Sequence, residues 1–128
     1  MRQTRGWFFH VAAGLALVIL LGTHMTIMHL DQVTGGAGNA DPALKPVDWE
    51  NVTQRGDSPW MALFYIAFLG AALFHGLFGT RTILLETDFG ARNRKTLTAV
   101  IVIVGFGLFI FGSAAAISFV QMSQAVVM

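Results

Sequence analysis

The sequence predicts an all-α integral membrane protein with three transmembrane helices packed against a partner membrane subunit. Two observations carry the helices. Of its 128 residues, 55% are hydrophobic and only 12% are charged, about half the charge of an ordinary soluble domain. The apolar residues also gather into three blocks, at roughly 7–30, 59–85 and 97–120, each at or above the ~20 residues that a helix needs to cross the hydrocarbon core. A third observation points to the partner: three spans alone make a thin bundle, and several polar residues within them face nowhere obvious. The whole of 1–128 is read as one membrane-anchor domain.

The amino terminus, Met1-Arg2-Gln3-Thr4-Arg5, is basic, and Trp7, Phe8 and Phe9 follow as headgroup-level aromatic anchors. The first block is too long for a signal peptide and lacks a small-x-small cleavage pattern, so it is expected to be a retained helix. Ala12, Ala13, Gly14 and Ala16 allow close helix contact. Residues 31–58, rich in Gly, Pro, Asn and Asp and punctuated by Pro42, Pro46 and Pro59, read as an extramembrane loop. Ser58-Pro59 suits a helix start, with serine at the cap and proline in the first turn. The second span leaves the membrane between Arg81 and Asp88. The third carries Gly105, Gly107, Gly112 and Ala114–Ala116 but no ionisable residue, which assigns it to packing.

Arg2, Arg5, Arg81, Arg92, Arg94 and Lys95 fall at one side, against Lys45 and Arg55 at the other. The positive-inside rule then puts the amino terminus and the 86–95 loop in the cytoplasm of a bacterial-type inner or plasma membrane. A net charge of +1 gives no pointer to nucleic acid. Zero cysteines exclude disulfides, thiolate iron–sulfur ligation and a thiol nucleophile. No nucleophile–base pair, phosphate-binding glycine loop or dense metal-ligand cluster is present, so the chain does not look like a catalyst acting alone.

The chemistry concentrates in Ala72-Leu73-Phe74-His75-Gly76-Leu77-Phe78-Gly79-Thr80-Arg81. Residues four apart share a helix face, so His75 and Gly79 line one strip. An imidazole in hydrocarbon marks a functional site by default. With Gly76 and Gly79 removing bulk beside it, His75 has what a haem-binding helix needs, a neutral axial ligand with little obstruction. The plainer reading of His75 is an interhelical hydrogen bond. Arg81 is either a snorkelling arginine that sets topology or a planar fork for a haem propionate or a quinone carbonyl. His24, late in the first span, suits a hydrogen bond, an interfacial position or metal ligation. His10 and His29 stand near opposite interfaces and read as interfacial. Counting from residues 7 and 85, His24 lies about 25 Å deep and His75 about 15 Å, too far apart to share one iron.

The run His75-Gly76-x-x-Gly79-x-Arg81-Thr82-Ile83-x-x-Glu86 resembles the second-helix signature of the small membrane-anchor subunit of succinate dehydrogenase (complex II), and Gly22-x-His24 is similar to the family's first helix. The resemblance covers most of residues 11–120. It implies a non-catalytic subunit that anchors a flavoprotein and an iron–sulfur subunit and helps electrons pass from succinate to ubiquinone or menaquinone. It further implies a haem b shared with a second membrane-anchor subunit, with His75 as a ligand position and Arg81 near the propionate and quinone. If His24 ligates anything, it is a second, outer haem, as in two-haem members; the alternative is a hydrogen bond inside the bundle. Glu86-Thr87-Asp88-Phe89 departs from the pattern, because many members place a quinone-bonding tyrosine here. Alternatives are the anchor of a quinol:fumarate reductase, or a cofactor-free scaffold subunit of another respiratory complex.

Overall fold

A computed structural model of the protein describes residues 2–34, 45, 47–56 and 58–127. Asp41, Pro42, Pro46 and Asp57 of the expected loop lie outside the described residues, as do the side chains of Arg2, Asp31 and Arg55. Five helices follow one another: α1 (Arg2–Thr34), α2 (Trp49–Gly56), α3 (Pro59–Leu85), α4 (Asp88–Arg92) and α5 (Arg94–Val127). Within them, Arg5–Leu30, Pro59–Leu85 and Arg94–Met122 are long and apolar enough to cross a membrane. The first and third run beyond the expected 7–30 and 97–120 because helical backbone continues into the flanking polar residues.

Local chemistry sets the boundaries. Ser58 holds the cap position of α3 in an extended conformation, and its carbonyl accepts from the amides of Met61 and Ala62 at 3.0 and 3.2 Å. Its hydroxyl makes no cap bond; Pro59 sets the first turn by its fixed φ. At the other end the amides of Glu86 and Thr87 donate to the carbonyls of Ile83 and Leu84, tightening the last turn. Thr87 then starts α4: its hydroxyl donates to the Leu84 carbonyl at 2.7 Å and accepts from the Gly90 amide at 3.1 Å. Where the resemblance expects a tyrosine nearby, this chain has a threonine that caps a helix. Gly90 packs directly on the Leu84 carbonyl, leaving no space for a side chain.

The 31–58 region contains an element that its composition hides. Asp48 accepts from the Lys45 amide at 2.7 Å and its carbonyl accepts from the Val52 amide, which nucleates α2. Asn51, 2% exposed, donates to the Lys45 carbonyl at 3.1 Å. Trp49 meets Phe119 edge to face at 6.0 Å, so α2 lies on the far end of α3 and α5.

The three spans form an open layer. Helix α3 is central and packs on α1 at one side and α5 at the other, while α1 and α5 do not meet among the described residues. Small residues make the approach possible, since van der Waals fit rather than hydrophobic burial drives helices together in lipid. Gly105 faces Leu77, Gly112 faces Leu69, and Gly70 faces Phe109. Only Ala62 is buried among the described residues of the three spans. Two broad apolar faces of the layer are therefore left for lipid or other chains.

Candidate functional site

Helices α1 and α3 run antiparallel and bring together two copies of one spacing, His10-x-x-x-Gly14 and His75-x-x-x-Gly79. Each histidine sits against the other helix's glycine. A Cβ on Gly14 would stand 2.9 Å from Cε1 of His75, and one on Gly79 would stand 3.3 Å from Cε1 of His10. The two imidazoles stack with centroids 4.2 Å apart and planes 7° from parallel, and Phe78 lies 5.3 Å from the His10 ring. His10, read from sequence as interfacial, thus enters the α1–α3 contact. Its signal was the repeated histidine–glycine spacing, which carries meaning only once the antiparallel register is known.

Nδ1 of His75 lies 3.1 Å from the His10 carbonyl oxygen. A carbonyl only accepts, so this bond requires the proton on Nδ1, and in the neutral ring Nε2 then keeps its lone pair. Among the described residues Nε2 has no hydrogen-bond partner. The interhelical hydrogen bond and the ligand role, alternatives at the level of sequence, use different nitrogens and are compatible. A backbone acceptor on the far nitrogen is also the usual support of a metal-bound imidazole. Gly76 beside it faces open space, with nothing within 4 Å of an added Cβ. These residues fit a haem ligand.

His10 cannot be the second ligand in this arrangement. Imidazoles on opposite faces of one iron, each bond about 2 Å long, aim their nitrogens at each other across about 4 Å. Rings stacked face to face at 4.2 Å aim theirs side by side.

His24 sits elsewhere on the same interface, against Tyr65 at 5.7 Å and Phe68 at 6.0 Å. Ten residues of α3 separate Tyr65 from His75, about 15 Å of rise, somewhat more than the 10 Å counted from the span ends. The difference arises because His75 lies level with His10 and Gly14, nearer the start of α1 than equal span depths imply. Nδ1 of His24 is buried without a hydrogen-bond partner among the described residues.

Arg81 is half-buried at the basic end, where its Nε donates to the Thr98 hydroxyl at 3.0 Å and Thr98 donates to the Arg94 carbonyl at 2.7 Å. One guanidinium edge is thus tied to α5, and the terminal nitrogens have no partner among the described residues. Three hollows converge on this side chain. One of about 660 Å³ opens toward α1 past Gly6, Trp7 and Glu86. Another, of about 300 Å³, is an apolar groove between α3 and α5. The third, of about 550 Å³, lies over the start of α5. No cluster of three or more histidine or acidic side chains that could hold a metal ion occurs among the described residues, but a haem iron needs only one imidazole on one face.

The class that this fold defines is a multi-pass helical membrane protein, with its distinctive polar groups on helix interfaces instead of in a catalytic cleft. Comparison with known proteins gives the particular family. The profile of the succinate dehydrogenase/fumarate reductase transmembrane subunit family matches residues 2–120, and the chain belongs to that family. It is similar to the succinate dehydrogenase hydrophobic membrane anchor subunit of Archaeoglobus fulgidus, 26% identical over 106 residues, which cover 83% of this chain and 81% of the relative. The subunit of the same name in Thermoplasma acidophilum is 22% identical over 117 residues, 91% of this chain and 86% of the relative. No solved structure matches. Membership implies association with the catalytic subunits of the enzyme at the membrane.

Proposed function

We propose that this chain is the haem b-binding anchor of a succinate:quinone oxidoreductase. It would hold the flavoprotein and iron–sulfur subunits at a bacterial-type plasma membrane and assist electron transfer to ubiquinone or menaquinone. The observation that carries the reading is the oriented imidazole of His75, with Nδ1–H given to the His10 carbonyl and Nε2 left unpaired. When bound, haem b supplies a one-electron carrier within the membrane. Around it this chain holds His75 in one tautomer, and the stacked His10 restricts the plane of its ring. Gly14 and Gly79 let the two helices approach closely enough for both contacts, while Gly76 leaves space beside the ligand. The terminal nitrogens of Arg81 offer a fork to a propionate or a quinone carbonyl. A second membrane-anchor subunit would supply the other ligand. The gathering of Arg5, Arg81, Arg92, Arg94 and Lys95 at one end of the layer supports a cytoplasmic amino terminus.

His75→Leu, expressed in the whole complex, tests this reading. The expected result is loss or displacement of the reduced haem absorption bands and a changed midpoint potential. An unchanged reduced spectrum with haem fully retained would refute it. A second reading concerns His24, whose enclosed Nδ1 has no hydrogen-bond partner among the described residues. Lying about 15 Å along α3 from His75, His24 would ligate a second haem at a separate outer site, and the alternative is a hydrogen bond inside the bundle.

A further inference from the structure

We propose that helix α2 lies in the lipid headgroup layer at the end of the bundle away from Arg81, with Val47, Trp49 and Trp60 set into the membrane. Composition assigns the whole of 31–58 to an extramembrane loop, but the level of α2 can be measured along its neighbours. Arg81 and Thr98, joined by a hydrogen bond, mark a common level on α3 and α5. Trp60 on α3 and Phe119 on α5 each stand 21 residues from that level, about 31 Å of helix rise. The hydrocarbon core is ~30 Å thick, so both rings stand at its far boundary. Trp49, at the start of α2, meets Phe119 edge to face at 6.0 Å. Gly56, at the end of α2, packs so closely on the same ring that no side chain fits there. Both ends of α2 are thus held at the boundary, and the helix does not stand off in water.

The surface of α2 suits that position. Trp49, Val52 and Gly56 share one helix face, with Glu50 and Asn51 on the other. Val52 and Gly56 also line a hollow of about 370 Å³ with Ala62, Tyr65 and Ala116, so the apolar face continues into the bundle. Val47, Trp49 and Trp60 are 73%, 73% and 79% exposed. Water penalises that concentration of apolar surface, whereas a headgroup layer accepts it, tryptophan above all. The polar groups of the segment turn inward. Asp48 accepts from the Lys45 amide, Asn51 donates to the Lys45 carbonyl, and the Thr53 hydroxyl donates to the carbonyls of Trp49 and Glu50. A helix in a layer poor in water needs this internal pairing. Glu50 is exposed and gives the helix a wet side.

The test uses the complete complex in phosphatidylcholine nanodiscs. This chain has no cysteine, so Val47→Cys, Trp49→Cys and Glu50→Cys each give this subunit one thiol without background. Labelling by a charged maleimide, read on this subunit by its mass, reports which thiols meet water. Glu50→Cys is expected to label fully, and Val47→Cys and Trp49→Cys to lose most of their labelling. Equal labelling at all three positions puts α2 in water and overturns the proposal. A photoreactive p-benzoylphenylalanine in place of Val47 then identifies what covers the face. Lipid adducts are expected there; cross-links to another subunit in their stead overturn the proposal, because the face would then be a protein interface. Co-purification with the catalytic subunits checks that each variant assembles. Should Trp49→Cys fail that check through loss of its contact with Phe119, the comparison of positions 47 and 50 still decides.

Discussion

Replacing Gly14 by alanine probes the histidine pair directly and does not depend on any cofactor. The added Cβ would lie 2.9 Å from Cε1 and 3.1 Å from Nδ1 of His75, so the ring must yield by about 0.5 Å to regain ordinary contact. Its bond to the His10 carbonyl is already 3.1 Å long, and a retreat of that size takes it to about 3.6 Å, beyond a hydrogen bond. Losing the bond costs about 1 kcal/mol, and overpacking adds about 1–3 kcal/mol. Alanine returns up to about 1 kcal/mol through its helix preference. The net expectation is a loss of about 1–4 kcal/mol, a roughly 5- to 900-fold change in the unfolding equilibrium. Gly22 on the same helix is the control, since nothing lies within 4 Å of its added Cβ. Gly22→Ala is expected to be neutral or stabilising by up to about 1 kcal/mol. The assay is sodium dodecyl sulfate titration of the detergent-solubilised complex, followed by circular dichroism. If Gly14→Ala proves as stable as Gly22→Ala, the stacked pair does not exist in the assembled protein.

His24→Ala is expected to lower the haem content from two to one per complex if His24 ligates an outer haem. One haem in both wild type and variant, with activity little changed, leaves His24 structural. The segment from Glu86 to Lys95, with α4 at its centre, is expected to be shielded when the iron–sulfur subunit is docked. Trypsin cleavage after Arg92, compared before and after removal of the soluble subunits, measures this, and equal cleavage rates would exclude docking at this segment.

Hydrophobic run length alone determined that three helices cross a membrane, because unpaired backbone groups in hydrocarbon leave a chain few other choices. The same local reasoning singled out His75 and Arg81, since polar groups in an apolar run are costly and conspicuous. Helix α2 is not legible locally because its anchors, Asp48, the buried Asn51 and the Trp49–Phe119 contact, depend partly on a side chain 70 residues away in sequence. His10 is not legible for a related reason: its neighbours in sequence are interfacial aromatics, and its neighbour in space is His75. Tertiary structure decided the register that stacks those rings, the tautomer of His75, and the order α1–α3–α5 that leaves α1 and α5 apart. Each of these is a relation between helices, set by which glycine admits which side chain, and no single span encodes it.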